Sequence, residues 1–94
     1  MTKRYKLLYP KSYIKRARAF IQKHPDLLGQ YEKTLKLLEL NPHHPSLRLH
    51  PLKGKLKGLH SVSINISYRI TIDFILTEHE IVLVNLGSHD EVYR

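Results

Sequence analysis

The sequence contains no cysteine and no tryptophan, and its acidic residues are few. The absence of cysteine excludes disulfide bonds, thiolate metal sites and a cysteine nucleophile. No apolar run approaches the roughly 20 residues that a membrane-spanning helix needs. The apolar stretch at residues 7–9, after the basic N-terminus, is too short for the core of a signal peptide. These absences predict a cytoplasmic protein.

Basic residues dominate the charge of the chain. Sixteen Lys and Arg against eight Asp and Glu give a net charge of +8 and a pI near 9.9. A domain this basic usually binds a polyanion, most often a nucleic acid, and the simpler alternative is an acidic partner protein. The 94 residues, of which 41% are hydrophobic, predict a single folded domain over residues 1–94.

The apolar periodicity predicts two helices and four strands. They are a strand at 5–9, a helix at 10–23, a helix from Asp26 to the residue before Asn41, and strands at 59–66, 68–76 and 81–84. Residues 41–58 contain three prolines and two glycines and are expected to be irregular. The βααβββ order predicts an α+β fold, with a helical hairpin packed on a small twisted, mainly antiparallel four-stranded sheet.

The last eight residues carry three kinds of reactive or binding side chain. A turn is expected at Gly87-Ser88, and His89, Tyr93 and Arg94 follow it at the edge of the sheet. Imidazole moves protons at neutral pH, an aromatic ring stacks on a base, and a guanidinium holds a phosphate. This combination is what an RNA-cleaving site needs.

A second histidine precedes a run of lysines. His50 comes directly before the loop that carries Lys53, Lys55 and Lys57. If that loop crosses the sheet, His50 and His89 flank one phosphate as general base and acid. The alternative is that both histidines cap loops and the lysines are simply solvated. The seven histidines show no metal-ligand spacing, so we expect no metal and no cofactor.

Arg69 stands inside a strand whose apolar residues alternate with polar ones. Its side chain should point away from the face that Ile70 and Ile72 bury. Its neighbours on that side indicate a polar, groove-like sheet face; they are Ser63, Asn65, Thr71 and Asp73. Arg69 is therefore either a phosphate clamp or a solvated outer-face residue.

Together these features resemble the RelE superfamily of bacterial toxins, most closely its YafQ-like branch. The resemblance covers essentially the whole chain and is carried by the element order, His-Pro-Leu-Lys-Gly at 50–54, Tyr-Arg-Ile at 68–70 and Gly-Ser-His at 87–89. It implies the toxin of a type II toxin–antitoxin system, a metal-independent and ribosome-dependent mRNA endonuclease. It also implies an acidic antitoxin partner and a toxin–antitoxin complex that binds operator DNA.

The resemblance further implies a role for each matching residue. His50 and His89 would transfer protons, in an order that the sequence leaves open, and Arg69 would stabilise the transition state. Tyr93 would position or stack the scissile nucleotide. RNA binding would fall to the basic residues that follow His50 along the chain; they are Lys53, Lys55, Lys57 and His60.

The chain departs from the branch at two positions. Ser63 and Ser67 stand where the YafQ-like branch has a histidine and an aspartate, and serine does not replace either in proton transfer at neutral pH. Two alternatives therefore stay open. One is a non-catalytic basic module that binds RNA or the ribosome, and the other is an interaction domain for an acidic partner peptide. RNA cleavage separates both from the endonuclease.

Overall fold

The structure is a computed structural model that describes residues 4–75 and 78–88. Its elements in chain order are β1 (Lys6–Leu8), α1 (Lys11–Lys23), α2 (Leu28–Leu40), β2 (His50–Pro51), β3 (His60–Ser63), β4 (Tyr68–Ile75) and β5 (Glu80–Ser88). Short 3-10 turns lie at Pro25–Leu27, Pro45–Leu47 and Gly54–Leu56. The α+β class is confirmed. Neither α-helix in the described ranges has the length and apolarity needed to span a bilayer.

Proline sets the boundaries of the helical hairpin. α1 follows Pro10, whose φ of −59° already suits a helix, and it ends at His24 because the residue before a proline avoids the helical region. The second helix was expected to begin at Asp26. Asp26 instead lies in the 3-10 turn Pro25–Leu27, and α2 begins at Leu28. Such 3-10 turns are frequent at helix N-termini.

The described strands form a five-stranded sheet in the order β1-β5-β4-β3-β2. Only the β1–β5 pairing is parallel among the described pairs, so the mainly antiparallel arrangement is confirmed. The sheet contains the four predicted strands and one more, β2, which comes from the segment expected to be irregular. It is only two residues long, and its proline occupies the sheet edge, where a missing N–H is tolerated.

The turn between β3 and β4 shortens the predicted strand at 59–66. The Asn65 side-chain oxygen accepts hydrogen bonds from the backbone N–H groups of Ser67 and Tyr68, both at 2.9 Å. This side chain stabilises a turn in place of further strand pairing. Ile66, the last residue of the predicted strand, lies in this turn instead and is 89% exposed.

The expected turn at Gly87-Ser88 is wrong. β5 continues through both residues, because Gly87 pairs with Arg69 and Ser88 pairs with Tyr68 of β4. Glycine followed by serine is a local turn signal, but here pairing with a neighbouring strand overrides it. β5 therefore extends further towards the C-terminus than the strand predicted at 81–84.

A bulge in β5 aligns its apolar residues with the helices. Ile72 pairs with Leu83 and Thr71 pairs with Asn85, so Val84 is an extra residue in β5. Because of this extra residue, Leu83 and Leu86 both reach the core. The buried core comprises Tyr13, Phe20, Tyr31, Leu38, Leu47, Val62, Ile64, Ile70, Ile72, Ile81, Leu83 and Leu86.

A pair of buried tyrosines joins the two helices. The hydroxyl oxygens of Tyr13 and Tyr31 lie 2.8 Å apart, and the two residues are only 1% and 8% exposed. Burial raises the pKa of both phenols. Each hydroxyl therefore stays protonated at neutral pH and satisfies the other inside an otherwise apolar core.

We predict that Tyr13→Phe lowers the free energy of unfolding by about 1 kcal/mol, because it leaves the Tyr31 hydroxyl without its partner. The Tyr13→Phe/Tyr31→Phe double variant should cost less than the sum of the single variants. Urea unfolding of the four proteins measures this coupling. Additive losses would show that the hydroxyl pair contributes nothing.

Candidate functional site

The polar face of the sheet lies opposite the helices, and two rows of opposed residues cross it. The first row is His50, Ser61, Thr71 and Asn85, and the second is Ser63, Arg69 and Gly87. Directly opposed residues in antiparallel strands project to the same face. His50 and Arg69, which were identified separately in the sequence, therefore share one face of the sheet.

This face is less open than the sequence suggested. Ser63 and Thr71 are only 8% and 2% exposed, and Asn65 lies in the turn after β3. The expectation of a groove lined by all these polar residues is therefore wrong. His50 and Arg69 are half-buried, so they are more accessible than the serine and threonine beside them.

Arg69 is held in place by a serine. Its Nη1 donates a hydrogen bond to the Ser63 hydroxyl at 3.0 Å, and its neighbour on the other side, Gly87, has no side chain. The two ion pairs within the described residues involve only Arg4, Lys36 and Glu39. No described carboxylate neutralises Arg69, so its guanidinium is suited to an anionic ligand.

His50 is positioned by β2 and by the loop before it. Its Nδ1 lies 3.3 Å from the Arg48 carbonyl oxygen and 3.4 Å from the Ser61 hydroxyl. Arg48 has a φ of 49°, which is uncommon for a residue other than glycine. In the tautomer with the proton on Nδ1, the Nδ1–H group donates a hydrogen bond to this carbonyl oxygen. Nε2 then carries the lone pair that a general base uses.

The backbones of His50 and Arg69 are not adjacent on this face. His50 and Arg69 lie two strands apart and one row apart, which places their Cα atoms roughly 12 Å from each other. The Arg69 side chain reaches towards β3, where Ser63 lies.

Three lysines lie in the segment that follows β2. Lys53, Lys55 and Lys57 are all exposed around the 3-10 turn Gly54–Leu56. Gly54 supplies a φ of 67° there, a conformation that few other residues adopt readily. We call these three residues the lysine rim, and of them Lys53 lines a cavity together with His50.

His60, predicted to bind RNA, lies on the other face of the sheet. It pairs with Ile72 and packs edge-on against Phe74, with ring centroids 5.1 Å apart. Its Nδ1 is buried and has no hydrogen-bond partner within the described part of the chain. The structure therefore does not bring His60 together with His50 and Arg69.

His89 and Tyr93, the other two predicted catalytic residues, lie outside the described residues. The last described residue, Ser88, pairs with Tyr68, the neighbour of Arg69 in β4. The roles of His89 and Tyr93 stay predictions.

The contributions of Ser61, Ser63 and Arg48 to the site were not predicted from the sequence. Ser63 was expected beside Arg69 on the polar face and was noted as a departure from the YafQ-like pattern, but its hydrogen bond with Arg69 was not predicted. The alternation of β3 was a usable signal, because a short turn after it places its serines opposite the polar residues of β4. The approach of Arg48 to His50 had no signal, since it depends on an irregular loop.

Comparison with known proteins identifies the fold. No family model and no curated protein matches the sequence, but solved structures do. YafQ from E. coli has a TM-score of 0.77 at 17% identity, over 96% of this chain and 99% of that chain. A metal-bound toxin from Helicobacter pylori has a TM-score of 0.75 at 26% identity, over 94% and 98%. The E. coli DinJ-YafQ toxin-antitoxin complex gives 0.75 at 19%, over 97% and 99%.

Metal ligands are not clustered in this part of the chain. Across residues 4–75 and 78–88, no group of three His, Cys, Asp or Glu side chains is arranged to hold a metal ion. The expectation of a metal-independent site stays a prediction.

We predict that Ser63→Ala lowers the free energy of unfolding by about 1 kcal/mol, because the buried end of Arg69 loses its hydrogen-bond partner. Ser67→Ala is the matched control, since Ser67 is exposed in the neighbouring turn and its loss should change little. Urea unfolding measures both, and the Arg69 side-chain NMR resonances should shift only in Ser63→Ala. Equal behaviour of the two variants would show that the Ser63 contact does not hold Arg69.

Proposed function

We propose, from the RelE-superfamily fold that this chain shares with YafQ, that it is the toxin of a type II toxin–antitoxin system. We further propose that it is a single-domain mRNA endonuclease that acts on translating ribosomes in the cytoplasm. The observation that supports this most directly is the shared face of His50 and Arg69. It combines a proton-transfer group with a cation that has no described carboxylate partner, and Lys53 of the lysine rim lines a cavity together with His50.

The proposed reaction needs no metal. A general base takes the proton of the ribose 2′-hydroxyl, and that oxygen forms a bond to the adjacent phosphorus. The bond from phosphorus to the 5′-oxygen breaks, and a general acid protonates the leaving oxygen. The products are a 2′,3′-cyclic phosphate and a 5′-hydroxyl end, so atoms and charge balance without a cofactor.

The side chains take separate roles in this reaction. His50 and His89 are the proposed base and acid, in an order left open. Arg69 stabilises the charge that builds up on the phosphate oxygens in the transition state. Tyr93 stacks on or positions the scissile nucleotide. The fixed contact from Arg69 to Ser63 supports this assignment, because a positioned cation stabilises a transition state at little reorganisation cost.

The proposed partners follow from charge and from the fold. The DinJ-YafQ complex contains a toxin of this fold with its antitoxin. With a net charge of +8, this chain would bind an acidic antitoxin, and the complex would bind operator DNA. Lys53, Lys55 and Lys57 would contact the RNA backbone without reading its sequence.

One observation favours a second candidate, a non-catalytic module that binds RNA or the ribosome. Ser63 and Ser67 leave β3 and its turn without the imidazole and carboxylate of the YafQ-like branch. The lysine rim needs neither group to bind RNA. An interaction domain for an acidic peptide uses the same charges, and only cleavage distinguishes the endonuclease from both.

We predict that brief induced expression of this protein in bacterial cells produces new mRNA ends within translated reading frames. His50→Ala, His89→Ala and Arg69→Ala should each reduce them at least about 100-fold, because each removes proton transfer or charge stabilisation. Codon-resolved mapping of transcript ends measures this. Arg18→Ala, an exposed arginine on α1, is the matched control and should cleave like the wild type. A folded Arg69→Ala protein with an unchanged map would contradict the assigned role.

We also predict that replacing Lys53, Lys55 and Lys57 by Gln weakens binding to single-stranded RNA. The plot of log K against log salt concentration should become less steep by about 2, because each lost phosphate contact reduces the magnitude of its slope by about 0.7. Fluorescence anisotropy at several salt concentrations measures this slope. The matched control replaces Lys11, Lys15 and Lys33 by Gln, which gives the same net charge as the first triple variant. An equal loss of slope in that control would show that the lysine rim has no special role.

A further inference from the structure

A cavity lies on the helix-facing side of the sheet, between α1 and the end of β5. Its volume is about 490 Å³, and its lining comprises Arg16, Ala19, Phe20, Lys23, His24, Tyr68 and residues 85–88. Tyr68 belongs to the helix-facing side of β4, as Ile70 does, whereas Arg69 points to the opposite side. Among the described residues proposed to act in catalysis, neither His50 nor Arg69 lines this cavity.

Three aromatic rings form one wall of the cavity. The ring centroids of Phe20 and Tyr68 are 5.1 Å apart, those of His24 and Tyr68 are 4.8 Å apart, and those of Phe20 and His24 are 4.9 Å apart. Phe20 is buried and anchors the group in the core, whereas His24 and Tyr68 are half-buried. The wall therefore offers accessible ring surface to a planar ligand.

Two cations stand on the helix above these rings. Arg16 and Lys23 are exposed and seven residues apart, which places them on the same face of α1, two turns from each other. Arg16 Nη1 also lies 3.4 Å from the Val84 carbonyl oxygen, so its side chain extends over β5. None of the described lining residues is Asp or Glu, and the cavity therefore favours an anionic ligand.

We propose that this cavity is a nucleotide-binding subsite for single-stranded RNA. The base stacks on Tyr68 and His24, and Arg16 and Lys23 bind the phosphates beside it. Aromatic platforms with flanking cations are how proteins bind single strands without reading their sequence, and the volume lies in the range of small-ligand sites. That the ligand is RNA rests on the function proposed above.

The end of β5 connects this subsite to the proposed catalytic face. Gly87 lines the cavity and also pairs with Arg69. Gly87 itself presents no side chain to an RNA strand that crosses the sheet there, so the backbone of β5 is the shared border of the described residues. The subsite would therefore hold a nucleotide beyond the cleaved bond and fix the strand in position for cleavage.

The test measures binding without cleavage. Full-length protein made by cell-free synthesis is titrated with a 2′-O-methyl oligonucleotide, which lacks the attacking hydroxyl, and with AMP. We expect AMP to shift the amide resonances of Lys23, Tyr68 and Asn85. Tyr68→Leu should weaken oligonucleotide binding at least about fivefold. Tyr9→Leu, a change at a tyrosine that is 45% exposed elsewhere, should leave it unchanged.

A surface variant keeps the test valid if Tyr68→Leu fails to fold. Lys23→Gln should lower the salt slope of oligonucleotide binding by about 0.7, and Lys33→Gln should not. Oligonucleotide binding confined to the His50 and Arg69 face, with both subsite variants like the wild type, would overturn the subsite and leave the proposed function intact. If the wild-type protein binds neither the oligonucleotide nor AMP, the subsite is overturned, whereas the map of transcript ends decides the proposed function separately.

An acidic peptide is the competing occupant of this cavity. A polyglutamate peptide that shifts the same resonances, while AMP shifts none of them, would overturn the nucleotide subsite. Displacement of the peptide by AMP, with weaker AMP binding in Tyr68→Leu, would support it, because stacking distinguishes a base from a carboxylate.

Discussion

The pairing between β4 and β5 determines both faces of the sheet. In this register Ile70 and Ile72 face the helices, and Arg69 faces the opposite side, next to Gly87. A shift of one residue would move Arg69 into the core and the isoleucines into solvent, at a free-energy cost that a small domain does not tolerate. The apolar core therefore fixes the position of the cation, although the two are on different faces.

Local patterns were sufficient to predict the helices and β4. Their apolar residues recur at the spacing of a buried helix face or a half-buried strand, and burial is what stabilises them. The errors arose where distant pairing or side-chain bonding decides. Gly87-Ser88 is typical of a turn in its local sequence, yet pairing with β4 holds it in a strand. β2 is a strand because His50 and Pro51 pair with Ser61 and His60 of β3. Neither pairing has a local signal in the sequence.

The candidate site was predictable in its residue types and only partly in its arrangement. Parity along β4 placed Arg69 away from the core, and this was confirmed. Adjacent residues of a strand point to opposite faces of the sheet, so His60 and Ser61 lie on different faces. Because His60 pairs with Ile72, it lies on the helix-facing side. Which of them faces His50 depends on how the loop before β3 returns to the sheet, and that is a tertiary property.

Ser63 changes how the departure from the YafQ-like pattern should be interpreted. As a replacement for histidine, a serine removes one proton carrier, and this alone argues against catalysis. In this fold the same hydroxyl accepts a hydrogen bond from Arg69 at 3.0 Å, so the position supports the cation. In the proposed reaction, proton transfer then depends on His50 and His89, and charge stabilisation depends on a guanidinium that is already oriented. An oriented cation acts on the transition state without first reorganising, which is why the loss of one imidazole does not by itself exclude cleavage.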